Sequence, residues 1–291
     1  MSPPAGTPTW TSCTPGSRHP HRIRSGRSSI PFARNTNRCF RIRRMTADLG
    51  NRRCHEAVTT FVATHLVRAS RSSDGTPSSW FHTGAPSEEL NGVLRVGAAI
   101  PHEIEQLRTL FDGVPACWHF WPDVDSPEIP ELLRRRGLEL FETEPLMMLA
   151  DPDRAAYLER GRPEPIEDVA GDAGLAEWAR LWSGVTDVDD LVTGLREGMD
   201  RRSTRYLLWR DGGEVLGCAA VVTCAAGASL EHIVTRADHR GEGIGTALTR
   251  YALALALAAG ARRVVLTASP DGEGIYRRLG FDTVGHVERY A

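Results

Sequence analysis

The sequence predicts a mixed α/β (α+β) protein made of two successive units of sheet and helix. Three observations predict it. Short apolar runs of strand length alternate with stretches whose apolar residues recur every three or four positions. The alternation occurs twice, on either side of the stretch Asp151–Pro165 with its prolines at 152, 163 and 165. The second unit places Arg240-Gly241-Glu242-Gly243-Ile244-Gly245 between an apolar run, Leu230 to Val234, and a helix-patterned run, Thr246 to Ala259.

The first unit, residues 45–150, opens with a helix over 47–68, where Val58, Phe61, Val62, Leu66 and Val67 fall at helical spacing. Strands follow at 79–84 and 91–100. A helix is expected over 102–112, a strand from Ala116 to Trp121, and a short helix over 128–136 stopped by Gly137. Strands at 138–142 and 145–150 are expected to close this half. Residues 151–164 read as a linker.

The second unit, residues 165–291, begins with helices near 173–183 and 187–200. Strands at 204–210 and 214–223 are joined by the turn Asp211-Gly212-Gly213. The strand at 228–235 leads into the glycine loop. Helix 246–259 turns Ala247, Leu248, Tyr251, Ala252, Leu255 and Ala258 inward and stops at Gly260. Strand 263–268, a short helix 272–279 and strand 281–289 complete the chain.

Composition narrows the chemistry. The chain has 291 residues, 41 % hydrophobic and 25 % charged, within the range of soluble globular proteins. Its charge-free apolar stretch Tyr251 to Ala261 is too short to span a membrane. All 35 basic residues are arginine. Any mechanism that needs a lysine is therefore excluded. Residues 1–44 hold nine arginines and no acid, a charge of +9; with −2 overall, residues 45–291 carry −11. So acidic a globular part argues against a nucleic-acid partner. None of the six cysteines forms a C-x-x-C pair, which fits a reducing, cytoplasmic setting. No Cys/His cluster has metal-ligand spacing, so no metal is expected.

Residues 1–44 are rich in Pro, Ser, Arg and His and lack hydrophobic periodicity. A disordered tail, a transit peptide and upstream sequence preceding a true start at Met45 all fit, the last best. A basic nucleic-acid arm is the functional alternative.

Glycines let the backbone approach an anion, and a helix start offers free N–H groups. The loop is not a P-loop, which needs lysine. It is not a dinucleotide fingerprint: from Gly241 the sixth place is Thr246, and from Gly243 it is Leu248. A plain flexible strand–helix connection is the bland alternative.

The run Arg240-Gly241-Glu242-Gly243-Ile244-Gly245-Thr246-Ala247-Leu248 resembles the acyl-CoA loop of the GNAT superfamily of N-acetyltransferases. A second family signature follows in order: Leu266-Thr267-Ala268-Ser269, then Gly272 to Phe281 with Tyr276 inside. The resemblance covers about residues 163–291. It implies a mostly antiparallel sheet flanked by helices in each of two tandem GNAT-like units, the first degenerate and without a glycine loop.

The resemblance also implies acetyl-CoA as co-substrate. Its pyrophosphate would meet the amides of Arg240, Gly241, Glu242, Gly243, Ile244 and Gly245 and the Thr246 hydroxyl. Its pantetheine would run along Ile233, Val234 and Thr235, with the Val234 amide holding the developing oxyanion. Tyr276 would protonate the leaving thiolate, the two groups having comparable pKa values near ~10 and ~8.5, or would only pack under the cofactor. Ser269 stands where many members carry Asn and could bond the pantetheine or a water. Arg262 and Arg263 are candidates for the adenine 3′-phosphate or are solvated helix-end charges.

By strand alternation, Glu231 and His232 should point to opposite faces. Glu231 is the candidate base, with a cross-strand carboxylate as the alternative. Trp118, Phe120 and Trp121 line an acceptor cleft or pack the core. Asp187, Asp189 and Asp190 contact the acceptor or form a helix N-terminus.

The expected activity is transfer of an acetyl group, by direct attack, to a primary amine of a small cationic molecule. The protein would be a monomer or homodimer with no membrane or nucleic-acid partner. A non-catalytic acyl-CoA sensor is the alternative.

Overall fold

The computed structural model describes residues 36–75, 78–97, 101–149 and 165–291. Residues 1–35 of the expected tail and the expected linker lie outside the described residues. Arg44–Ala291 form one compact unit, distinct from Met1–Arg43.

A single eleven-stranded sheet carries this unit, in the order β1-β2-β3-β4-β11-β5-β10-β9-β8-β7-β6. In the first block, helix α1 (Thr36–Leu66) precedes β1 (Arg71–Asp74), β2 (Ser79–His82) and β3 (Asn91–Arg95). Helix α2 (Pro101–Leu110) crosses to β4 (Cys117–Phe120); α3 (Ile129–Arg134) then leads to β5 (Leu140–Leu149). In the second block, β6 (Ile166–Asp168), α4 (Gly171–Ser183) and α5 (Asp189–Asp200) precede β7 (Thr204–Asp211), β8 (Glu214–Cys224) and β9 (Gly227–Thr235). Helix α6 (Ile244–Ala258) crosses to β10 (Val264–Thr267), and α7 (Pro270–Arg278) leads to β11 (Phe281–Tyr290). Both blocks thus end on strand, crossover helix, parallel strand, short helix, strand. Only β3–β4 and β9–β10 pair in parallel; the other described pairs are antiparallel.

The blocks exchange their last strands. β5 does not close its own half: it pairs with β10 and β11, while β11 pairs with β4 on its other edge. The two short strands expected at 138–142 and 145–150 are one ten-residue strand, with Pro145 opposite His286 in register. Ile166–Asp168, for which no element was expected, forms the edge strand β6 along β7. At the β7–β8 hairpin, Gly212 and Gly213 both have positive φ, 56° and 88°, the requirement of a tight two-residue turn whose twist matches the strands.

Helices cover both faces. On one, α6 buries Ile244, Leu248, Ala252 and Ala256 against β8, β9 and β10. Its alanines allow close approach: a Cβ on Gly217 of β8 would stand 2.7 Å from Ile244 Cγ2. On the other, α1 buries Cys54, Ala57, Val58, Phe61 and Val62 against Met148, Val265 and Val287 in the middle of the sheet. Helices α4 and α5 cover the β7–β8 end through Leu175, Trp178, Val192 and Leu195.

Candidate active site

Strands β9 and β10 pair only at Ala228–Val264 and Ser229–Val265. Beyond Ser229 they part, and a cavity of about 740 Å³ opens between their carboxyl ends. Parallel strands commonly bind ligands at this end, where the connections diverge.

The splaying coincides with a break in β9. Ala220 faces Glu231 and Cys218 faces Val234, so one residue of β8 spans His232 and Ile233. His232 takes φ 53° at this bulge. An extra residue in one strand ends its alternation. Glu231 and His232 therefore both line the cavity, not opposite faces as alternation alone requires.

The bulge also sets which amides look into the cleft. Arg236 N donates to Leu216 O at 2.8 Å. Ladder alternation then directs Val234 N, two residues back, towards β8 as well, and leaves the Ile233 and Thr235 amides on the cleft edge. The Val234 amide expected to face the acyl group points to the wrong strand for that role.

At one end of the cavity lies the glycine loop. Arg240, Gly241, Gly243, Ile244, Gly245 and Thr246 border it. Gly241 and Gly243 hold φ 85° and 87°, the left-handed region that a side chain disfavours, and Gly243 caps α6. The first intrahelical acceptor is Gly243 O, bonded by Ala247 N, so the amides of Ile244, Gly245 and Thr246 have no partner inside the helix. Glu242 does not border the cavity; its Oε2 lies 3.0 Å from His239 Nδ1. Arg240 faces Asp271 at 3.9 Å, and Arg278 adds a second cation to the lining. Arg262 and Arg263 are not in the lining; Arg263 pairs with Glu56 at 3.5 Å. Free amides, left-handed glycines and two arginines suit a phosphate group.

In the middle stand Tyr276, Ser269, Glu231 and Glu144. Ser269 caps α7, its Oγ accepting from Gly272 N at 3.3 Å, which leaves its own proton free to donate. The Tyr276 ring is buried edge-on to Phe281, with centroids 6.2 Å apart. Burial, then the nearby Glu144 and Glu231 carboxylates, push its phenol up to about 12. Burial likewise raises the Glu144 carboxyl, against the pull of Arg289. Arg289 of β11 holds Glu142 at 2.7 Å and approaches Glu144 at 2.8 Å. Glu231 Oε1 is buried without a hydrogen-bond partner; the nearest cation-forming group is His65, with Nε2 at 3.9 Å.

The far wall comes from the first block, one of the two roles expected of it, but through residues other than the aromatics expected there. His65, Arg68, Glu89, Cys117 and His119 line it. His119 Nδ1 donates to Val93 O at 3.1 Å, leaving Nε2 to accept from Cys117 Sγ at 3.9 Å. Burial keeps that imidazole neutral and pushes the Cys117 thiol up to about 12, so Cys117 is not an ionised nucleophile. Cys218 and Cys224 do not line the cavity. One signal for the wall was present in the sequence: His65 and Arg68 continue the stripe of Val58 and Phe61 at helical spacing.

Trp118, Phe120 and Trp121 do not line the cleft. Trp118 and Phe120 pack with Tyr290 under α2 and α3, and Trp121 packs with Phe61. Asp187, Asp189 and Asp190 are exposed at the start of α5 and away from the cavity, where acids favour the helix dipole.

A helix start with free amides beside a splayed parallel pair opens on buried carboxylates and a tyrosine. Residues 174–281 match the model of the acetyltransferase (GNAT) family. Among solved structures, it resembles a GCN5-related N-acetyltransferase from Kribbella flavida: TM-score 0.58, 20 % identity, covering 83 % of this chain and 94 % of that one. It also resembles a GCN5-related N-acetyltransferase-like protein from Streptococcus suis: TM-score 0.52, 18 % identity, covering 74 % and 84 %. At these identities the likeness is one of fold. No curated protein matches the sequence. The family uses acetyl-CoA as co-substrate. No group of three or more metal-ligating side chains occurs among the described residues. No helix among them is long and apolar enough to cross a membrane.

Proposed function

We propose that this protein is an acetyl-CoA-dependent N-acetyltransferase that moves an acetyl group by direct attack to a primary amine of a small acceptor entering as its ammonium. One observation carries the reading: the amide-lined glycine loop and the Glu231, Glu144 and Tyr276 cluster open into the same cavity. Acetyl-CoA supplies an activated acyl group and a thiolate leaving group.

The chain's own residues divide the work. Arg240, Gly241, Gly243, Ile244, Gly245 and Thr246, with the Glu242 amide between them, hold the pyrophosphate. The cleft-edge amides of Ile233 and Thr235 hold the pantetheine arm, and Ile233, next to the bulge, takes over the role expected of Val234 at the carbonyl oxygen. Glu231 accepts the ammonium proton at Oε1.

Tyr276 keeps its proton at Oη throughout the physiological range. Ionising a phenol near 12 to protonate a thiolate of pKa ~8.5 is uphill. Tyr276 therefore acts as a hydrogen-bond donor to the sulfur, not as the pKa-matched acid that an unperturbed phenol would be. Cys117 is protonated and hydrogen-bonded, which favours direct attack over an acyl-enzyme. The first block acts as a degenerate GNAT-like unit: it repeats the element order, has no glycine loop, and supplies the acceptor wall.

The reading is tested by acetyl-CoA. At 100 times its Kd it should stabilise the fold by about 2.7 kcal/mol. Thiol release on adding amines should follow. No thermal shift would remove the reading. A shift with no transfer to any amine would leave a CoA sensor in its place.

A further inference from the structure

Three buried side-chain atoms without a hydrogen-bond partner belong to residues lining the cavity: Arg68 Nη1, Glu144 Oε2 and Glu231 Oε1. Buried polar atoms are nearly always paired, and a buried charge strongly demands a partner. Glu144 has Arg289 beside it. Arg68 is 3 % exposed and has no carboxylate partner among the described residues. Its Nη2 reaches only His232 Nε2, at 3.4 Å, and its guanidinium lies 6.0 Å from the centre of the Phe81 ring. One cation and one anion in the same cavity are thus left to be met from outside.

His65 gives the anionic station its geometry. Its Nδ1 donates to Phe61 O at 2.9 Å, so Nε2 carries a lone pair. Burial, with Arg68 nearby, keeps the ring neutral. Nε2 therefore faces Glu231 Oε1 at 3.9 Å as acceptor against acceptor. A nitrogen bearing two protons fits between them, within ~2.9 Å of each. Arg68 lies in the turn that ends α1, three residues after His65, with its N–H bonded to His65 O at 3.1 Å, so the two side chains stand ~5–6 Å apart at Cβ. That spacing suits an ammonium and a carboxylate on one carbon, each with its hydrogen bond.

We propose that the acceptor is a zwitterionic amino acid or a close analogue, with its ammonium between His65 Nε2 and Glu231 Oε1 and its carboxylate on Arg68. The proposal rests on the transferase reading above. In the step, the N–C bond forms and the C–S bond breaks. Glu231 Oε1 takes one ammonium proton, and the nitrogen's second proton passes to the departing sulfur. The products are the N-acetyl amino acid and free CoA thiol, with one proton released to solvent.

The test uses the full chain, acetyl-CoA and matched pairs that differ only in the carboxylate: L-phenylalanine with 2-phenylethylamine, L-methionine with 3-(methylthio)propylamine, and L-lysine with cadaverine. Thiol release should favour the amino acid by about 10-fold or more in kcat/KM in at least one pair, as expected for a lost charge-assisted bond. Arg68→Met should collapse that ratio towards one while still gaining thermal stability from acetyl-CoA. If Arg68→Met does not fold, Arg68→Lys should retain part of the preference. Equal or better use of the decarboxylated amines, an unchanged ratio in the folded variant, or transfer to none of the six compounds overturns the proposal. Persisting stabilisation by acetyl-CoA confines that failure to the acceptor; its absence extends it to the transferase reading.

Discussion

His232 Nδ1 lies 3.2 Å from Glu89 Oε2, and this contact fastens the bulge of β9 to the 3₁₀ turn Glu88–Leu90 of the other block. His232 is held on its other sides by Trp182, with ring centroids 4.7 Å apart, and by Arg68. A residue at φ 53° has thus recruited partners from three separate segments, which keeps the bulge, and the amides it sets, in one geometry.

Glu89→Gln should therefore destabilise the protein in a pH-dependent way. Burial raises the Glu89 carboxyl, but the hydrogen bond and charge of His232 outweigh it and the net shift is downward. A lowered folded pKa contributes stability above the unfolded value, near ~4.3, and loses it as pH falls through the folded one. Urea midpoints should differ between wild type and Glu89→Gln at pH 7, and the gap should narrow as pH falls below ~4.3 through the lowered folded pKa. A constant gap from pH 7 to pH 3 would mean the carboxylate charge is irrelevant.

Tyr276→Phe keeps the ring that packs on Phe281 and removes only the hydroxyl. The fold should survive, and kcat should fall by about 10²-fold with the acetyl-CoA KM little changed. With the phenol near 12, the wild-type kcat should show no alkaline limb from this group up to pH 10. A limb near pH 9 that disappears in Tyr276→Phe would contradict the assigned environment.

Gly217→Ala probes the seat of α6. The added Cβ would meet Ile244 Cγ2 at 2.7 Å and Leu248 Cδ1 at 2.9 Å. Overpacking of this kind costs about 1–3 kcal/mol. Because Ile244 begins α6 and lines the cavity, the acetyl-CoA KM should rise along with the loss of thermal stability. Lower stability with an unchanged KM would show that the loop moves independently of the helix seat.

What the sequence made legible is what short stretches encode. The glycine loop, its flanking strand and helix, the Asp211–Glu214 hairpin and the helix carrying Tyr276 are each specified by residues within a turn or two of one another. Three features escaped because they depend on distant partners. The placing of β5 between β10 and β11 is a choice among strand edges that no local pattern states. The bulge at His232 overrides the two-residue period that separated it from Glu231. The acceptor wall unites the end of α1, the 3₁₀ turn and β4, which lie far from the glycine loop in the chain. Trp118, Phe120 and Trp121 misled for a related reason: large aromatics satisfy a core as readily as a cleft, and Tyr290 of β11 is the partner that claims Trp118.

The position of β11 between β4 and β5 has a further consequence for synthesis. Chains emerge and begin to fold from the N-terminus. Until Phe281–Tyr290 is made, β4 has an open edge, and β5 lacks the neighbour with which it shares most of its length. Exposed edges of this kind invite pairing with other chains. The first block therefore cannot finish on its own and wait: it must be kept from wrong partners until the ribosome has delivered the last strand. That strand brings Arg289, so sheet closure and the neutralising of Glu142 and Glu144 in the cavity happen together.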